Sequence, residues 1–413
     1  MIPNEKRALR FLKSRFSPFK HKYFRLFFGA QTLSLVGNWM QELAKSWIVL
    51  NLVGTSSAMG ALIFASAVPN LIIGPFAGVL ADRSRIRSIL LITQLLLAVL
   101  AFGLGLLISV GHVQLWHLVI FSILEGTVIA FDLPAFNKIT PQVVPREDFQ
   151  QALALNAVNF HTSRVIGPAI AGVLLGVFGE ASVFWLNAVS FLALVLVIAR
   201  IPSLAFKNVP QAGKQGMKEA WQFIRRNGTL FRVVLQLFLV IGLMFPLVFT
   251  IFRVYLQNRF HLSAEEFGFV FAAPGFGALM GSVTFLLWSP RYPLKALPFG
   301  ISGVILFLIM IAEVETLALA VIGLTCFSYF MFLSISSLNV TIQLAITNEI
   351  RGRVASMIGM AFISLGPIMS VPIGLLADLW GERILMMGIA CVFAVLSLLL
   401  SWKDKQNHTN IGT

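Results

Sequence analysis

The chain has 413 residues, of which 58% are apolar and only 12% charged. Soluble domains carry about 25% charged residues, so a soluble enzyme, a disordered chain and a nucleic-acid binder are excluded. A membrane-spanning helix takes about 20 apolar residues, and the apolar content here fills about twelve of them. The net charge of +14 is carried by the connections between apolar runs rather than by a nucleic-acid-binding face.

In chain order, residues 1–23 form a basic arm. The apolar stretch behind it is too long for a signal peptide and no A-x-A-like site follows, so the arm is expected to be uncleaved and cytoplasmic. Six spans are expected at 24–51, 58–81, 88–110, 115–137, 152–178 and 182–200, making an N-terminal half over 24–200. The longest polar interruption, 201–229, is read as a cytoplasmic linker, with Lys214 to Arg226 as an amphipathic interfacial helix. Six more spans follow at 230–256, 264–288, 296–312, 316–346, 354–378 and 384–402, giving a C-terminal half over 230–402 and a tail over 403–413.

The expected fold is therefore an all-α membrane protein of twelve transmembrane helices in two six-helix halves. With the N-terminus inside, 26 of the 31 lysines and arginines fall in cytoplasmic segments, and the outer loops hold only Arg259 and Arg383. That asymmetry predicts both termini in the cytoplasm. The halves resemble one another. Gly167-Pro168 and Gly366-Pro367 lie 199 residues apart, and Leu174-Leu175 through Gly179-Glu180 resembles Leu375-Leu376 through Gly381-Glu382. The run from Gly74 can likewise be laid on the run from Gly281. A parallel six-plus-six repeat is a transporter architecture.

Three glycine pairs, Gly74/Gly78, Gly172/Gly176 and Gly277/Gly281, have the spacing that lets membrane helices pack closely. Gly275-x-Gly277 fails as a nucleotide loop, and no P-loop, HExxH or GxSxG pattern occurs. Cys326 and Cys391 lie in apolar runs without ligand spacing, and His161 is the single histidine deep inside a span, His117 standing at the edge of span 4. No disulfide, metal site or cofactor is expected. Most of the 37 phenylalanines should face lipid or other helices, with a minority lining an apolar cavity. The informative residues are the ionisable ones within spans: Glu42 and Lys45 in span 1, Glu125 and Asp132 in span 4, and Arg164 in span 5. Each unpaired mid-span charge costs roughly 3 kcal/mol, so they should pair or face water. Glu42 and Lys45 share a helical face and are expected to pair, either as a static pair or as part of coupling. Glu125 and Arg164 sit at one depth on consecutive spans and are expected to face each other. Glu125 is the first choice for protonation, with Glu42 in reserve and Arg164 as organising cation.

The loop Gly78-Val-Leu-Ala-Asp82-Arg83-Ser-Arg85-Ile-Arg87 resembles the signature of the major facilitator superfamily. Gly78, Asp82, Arg83 and Arg87 match, whereas Arg85 and Ile86 stand where the family has Gly and Arg. Asn38-Trp39-Met40-Gln41, Gly54-Thr55-Ser56-Ser57, Phe131 to Ala135, Val144 to Asp148 and Arg164-Val-Ile-Gly167-Pro168 resemble the branch holding the enterobactin exporter and transmembrane secretion effectors. Gly167-Pro168 with Gly172 is similar to the antiporter motif of span 5, with Ser163 in place of its leading Gly. Ser122 stands where drug–proton antiporters carry a span-4 Arg. The resemblance implies that span 1 lines the cavity, making Asn38, Trp39 and Gln41 candidates for substrate contact. It also implies that Asp82 braces the start of span 11 and that Asp132 pairs with a loop arginine, which here must be Arg83, Arg85 or Arg87.

The resemblance thus implies a proton-linked secondary transporter of the bacterial inner membrane, exporting a siderophore-like or drug-like amphipathic molecule by antiport. A transporter of lysophospholipid or other lipid-like species, a siderophore importer, and a non-transporting scaffold or sensor are the alternatives. The partners expected are a small-molecule substrate, protons and the lipid bilayer, with the chain a monomer.

Overall fold

The computed structural model, which describes residues 16–83, 86–202, 214–288 and 293–409, turns each apolar run into a helix. The first group is α1 (Lys22–Leu52), α2 (Ser56–Arg83), α3 (Ile86–Ser109), α4 (Leu115–Asn137), α5 (Phe149–Phe178) and α6 (Glu180–Arg200). A linker helix, Lys214–Arg226, follows. Next comes α7, running from Gly228 to Phe260 through a π turn at Leu247–Ile251 that directly follows Pro246. The remainder are α8 (Ala264–Trp288), α9 (Leu297–Ala312), α10 (Leu317–Ala345), α11 (Asn348–Trp380) and α12 (Glu382–Thr409).

Among the described residues, eleven helices are long and apolar enough to cross a membrane. The long helix outside that set is α1, where Gln31, Asn38, Gln41, Glu42 and Lys45 dilute the hydropathy. The twelve-span expectation is thus met by eleven on length and composition alone. Most of those polar residues of α1 are spoken for by other helices.

Packing within the first six helices is mirrored in the last six. Helix α2 packs on α4, α3 on α6 and α1 on α5, while α8 packs on α10, α9 on α12 and α7 on α11. Two contacts join the groups most extensively, α5 with α8 and α2 with α11. Both bring backbones together at glycine, as close helix packing in lipid requires. A Cβ on Gly172 would lie 2.8 Å from the Cα of Gly268, and one on Gly60 or Gly374 would strike the carbonyl of Ser370 or Ser56. Gly277 and Gly281 seat α8 on the backbone of α10 at Thr325 and Tyr329, and Gly176 abuts the Glu265 carboxylate. Gly74 differs from the sequence expectation: what lies nearest is Asn70 of its own helix, so no neighbouring backbone needs it small.

The turns α5–α6 and α11–α12 are built alike. Gly179 (φ 77°) and Gly381 (φ 83°) take the left-handed conformation that glycine adopts without strain, and Glu180 and Glu382 then start the next helix. At the other end of the bundle, Asp148 accepts from Ser17 and from His21 (2.7 Å), tying the entry of α1 to the start of α5. The linker helix buries Ala220 and Ile224 against α7 and α11, and its Glu219 pairs with Arg353 of α11.

Candidate functional site

A cavity of about 530 Å³ lies between the two groups of helices. Its polar wall comes from α1, α3 and α4, including Gln31, Asn38, Gln41, Lys45, Gln94, Glu125 and Asp132. Its opposite wall is aromatic, with Phe245 and Phe249 of α7 and Phe362 of α11, and Trp39 and Phe160 complete it. A pocket that is apolar on one side with convergent polar groups on the other suits an amphipathic guest.

Glu125 is the hub of the polar wall. Its Oε2 takes the Lys45 ammonium at 2.8 Å, and its Oε1 accepts from Gln41 Nε2 at 2.5 Å. Gln41 Oε1 accepts in turn from Asn187 Nδ2 of α6 at 2.7 Å, and Asn187 Oδ1 accepts from Ser190 at 2.9 Å. Glu125, Lys45, Gln41 and Asn187 are all buried. A buried charge needs a paired and hydrogen-bonded setting, and this chain supplies it from three helices.

The expected facing of Glu125 and Arg164 is not what forms. Helix α4 packs chiefly on α2 and α3, whereas α5 packs on α1 and α8, so the two side chains project into different layers. Glu42 and Lys45 do not pair either, because each has a better-placed partner on another helix. Glu42 Oε1 accepts from Arg253 Nη1 of α7 at 3.2 Å, and Arg253 also donates to Ser46. That ion pair crosses from the first group of helices to the second.

Arg164 is 6% exposed and, among the described residues, has neither a carboxylate nor a hydrogen-bond acceptor. Its guanidinium lies over the rings of Trp39, Phe249 and Phe332 at 5.5, 5.4 and 5.3 Å from their centroids. Gly167 and Pro168 stand one turn further along α5. A Cβ on Gly167 would collide with Trp39, so that glycine allows α1 to set its indole against Arg164.

Asp132 accepts from Thr93 Oγ1 at 2.5 Å and Gln94 Nε2 at 2.9 Å, both on α3. Arg87, one of the three arginines expected to pair with it, donates instead to the carbonyl of Ala199. Gly78 is buried in α2; Arg85 and the side chains of Asp82 and Arg83 lie outside the described residues, and with them the expected brace on α11. A matching brace is visible at the other end. Asp378 of α11 accepts from the backbone N–H groups of Ser56 (2.8 Å) and Ser57 (3.0 Å), the first residues of α2.

Sequence reasoning missed Asn187, Arg253 and Asp378 as functional candidates. The signals were present: Asn187 and Arg253 are polar residues inside apolar runs, and Gly374-Leu-Leu-Ala-Asp378 repeats Gly78-Val-Leu-Ala-Asp82. Asn38, whose Oδ1 lies 3.5 Å from Asn187 Nδ2, Trp39 and Gln41 all line the cavity, as the resemblance implied.

Two groups of helices that meet through α2–α11 and α5–α8 around a central polar–apolar cavity have the architecture of major facilitator transporters. The sequence profile of the transmembrane secretion effector family matches residues 13–366, and the chain belongs to that family. Among its relatives, an uncharacterized MFS-type transporter, YfiS, of Bacillus subtilis is 28% identical over 52% of this chain and 53% of its own. The staphyloferrin A transporter of Staphylococcus aureus is 27% identical over 45% and 49%, so these two matches span about half the relatives' lengths. The multidrug efflux pump Tap of Mycolicibacterium fortuitum is 24% identical over 89% of this chain and 94% of that one. A bacterial homologue of the lysosomal transporter Spinster, solved inward-facing and unoccupied, superposes with a TM-score of 0.75 at 15% identity, over 92% of this chain and 96% of the other, a likeness of fold.

Proposed function

We propose that the protein is a proton-coupled exporter of a small amphipathic molecule, working by alternating access between two six-helix halves, 24–200 and 230–402. In this reading α1 is the twelfth span, both termini are cytoplasmic, and the membrane is the bacterial inner membrane. The basic arm and linker then mark the inner side by the positive-inside rule. Most contacts that bridge the halves by glycine or ion pair, at Gly60, Gly374, Gly172 and Glu42–Arg253, lie towards the far end, with Gly275 on the Arg164 backbone nearer mid-depth. The conformer is therefore read as closed outside and open inside. The efflux pump relative, matched along nearly its whole length, supports export.

The observation that carries the proposal is the buried Lys45–Glu125 pair on the wall of the cavity. A proton on Glu125 removes the counter-charge of Lys45. Glu42, one turn away on the same helix, is then the nearest carboxylate on Lys45's own face. An ammonium drawn to Glu42 competes with Arg253, and the half-buried ion pair described between α1 and α7 loosens. Protonation in the cavity thereby reaches the contact between the halves, which is what coupling requires.

Metabolite profiling of cells and medium, with and without the protein, identifies the cargo as a compound retained in cells when the protein is absent. With that compound in proteoliposomes, wild-type protein should move it uphill on a pH gradient. Glu125→Gln should keep exchange and lose the pH-driven component. Uphill transport with unaltered pH dependence in Glu125→Gln would move the coupling site to Glu42.

A further inference from the structure

Of the three cations buried around the cavity among the described residues, two are matched: Lys45 by Glu125 and Arg253 by Glu42. Arg164 is not. A guanidinium offers five N–H donors in a planar fork suited to a carboxylate, and here none of the five finds an acceptor among the described residues. Three aromatic faces compensate part of the charge. They leave the donor edge unanswered.

The surroundings are laid out for an anion. Arg164 and Arg253 line one small void of about 20 Å³, room for about one water. Trp39 and Phe249 line both this void and the central cavity, and their rings stack at 6.4 Å and 19° to form the partition between them. Phe249 sits in the π turn of α7, where the helical ladder is already interrupted. On the same face of α5, one turn before Arg164, His161 has a buried Nδ1 without a partner.

We infer that Arg164 is the anion-receiving group for substrate: an organic carboxylate with an aromatic or apolar body, entering from the central cavity as Trp39 and Phe249 part, meets its guanidinium. The inference rests on reading the cavity as the substrate's path, but it concerns the charge of the substrate and not the driving ion.

The test is equilibrium binding to the purified full-length protein, without a gradient, of three probes sharing one aromatic body: naphthylacetate, naphthylethanol and naphthylethylamine. Wild-type protein should bind the carboxylate about tenfold more tightly than the alcohol, the scale of one hydrogen-bonded charge, with the amine weakest. Arg164→Gln should abolish the preference for the carboxylate over the alcohol, and Arg164→Lys should restore part of the difference. Thermal unfolding establishes that each variant is folded. If Arg164→Gln does not fold, the wild-type ranking and Arg164→Lys decide. Wild-type protein that binds the alcohol or amine as tightly as the carboxylate, or binds none of the three, overturns the assignment. So does a carboxylate preference that survives in Arg164→Gln. Because this assay is blind to proton coupling and the Glu125→Gln flux assay is blind to substrate charge, either reading can fail without the other.

Discussion

Asp378→Asn probes how the far end of the bundle is held shut. The first turn of α2 has no acidic residue of its own, and the anion at its N-terminus is supplied by α11 through Asp378. Losing a capping acceptor costs typically about 1 kcal/mol, and a charge at a helix terminus contributes about 0.3–1 kcal/mol at an exposed site. Asparagine keeps one acceptor oxygen and loses the charge, and Asp378 is exposed, so about 1 kcal/mol is the net expectation. That corresponds to about a fivefold change in the ratio of separated to closed forms. Spin labels at Val53 and Leu379, both exposed near this contact, report the distance between the ends of α1 and α11 by pulsed electron paramagnetic resonance. In a background with Cys326 and Cys391 replaced, the long-distance component should grow relative to the short one. A distance distribution identical to that of the parent, at equal thermal stability, would refute the reasoning.

Three further outcomes are expected. Lys45→Met strands Glu125 in the bundle and should lower stability by about 3–5 kcal/mol, read as a fall in unfolding temperature. The double variant Lys45→Met/Glu125→Leu should recover most of that loss, and no recovery would count against the pair. Gly268→Leu forces α5 and α8 apart at a cost of about 1–3 kcal/mol, so a cysteine at the buried position of Ala171 should become reactive towards a water-soluble maleimide; unchanged reactivity would contradict the close contact drawn here. Single cysteines at positions 85 and 214 should resist an impermeant reagent added outside intact cells, and modification of either from outside overturns the orientation.

Helix positions were legible because membrane spans write themselves in long apolar runs: the run over 115–137 is α4 to the residue, and 264–288 is α8. The linker helix was legible from its polarity alone. Which charges meet was not. Glu42 and Lys45 pair by spacing, and Glu125 and Arg164 by depth, yet the pairs formed, Lys45–Glu125 and Arg253–Glu42, run between helices whose adjacency depends on packing. Helix α1 lies against α5 and α6 and also reaches α4, and that placement separates Glu125 from Arg164 while joining it to Lys45. Asp378 hid for another reason. An acidic residue at the end of an apolar run reads as a solvated loop charge until the start of α2 is seen beside it.

The polarity of α1 also bears on how the chain is made. Lys45 meets Glu125 80 residues later in sequence, Gln41 meets Asn187 146 residues later, and Glu42 waits 211 residues for Arg253. At about 5–20 residues per second, the ribosome takes several seconds to reach even the first of these partners. During that interval Lys45 and Glu42 have only each other as counter-charges within the membrane, where a lysine or acidic residue at the centre of a helix costs about 2.5–3.5 kcal/mol on the insertion scale. The final partners of α1 thus arrive only with α4, α6 and α7, although it is the first long helix synthesised.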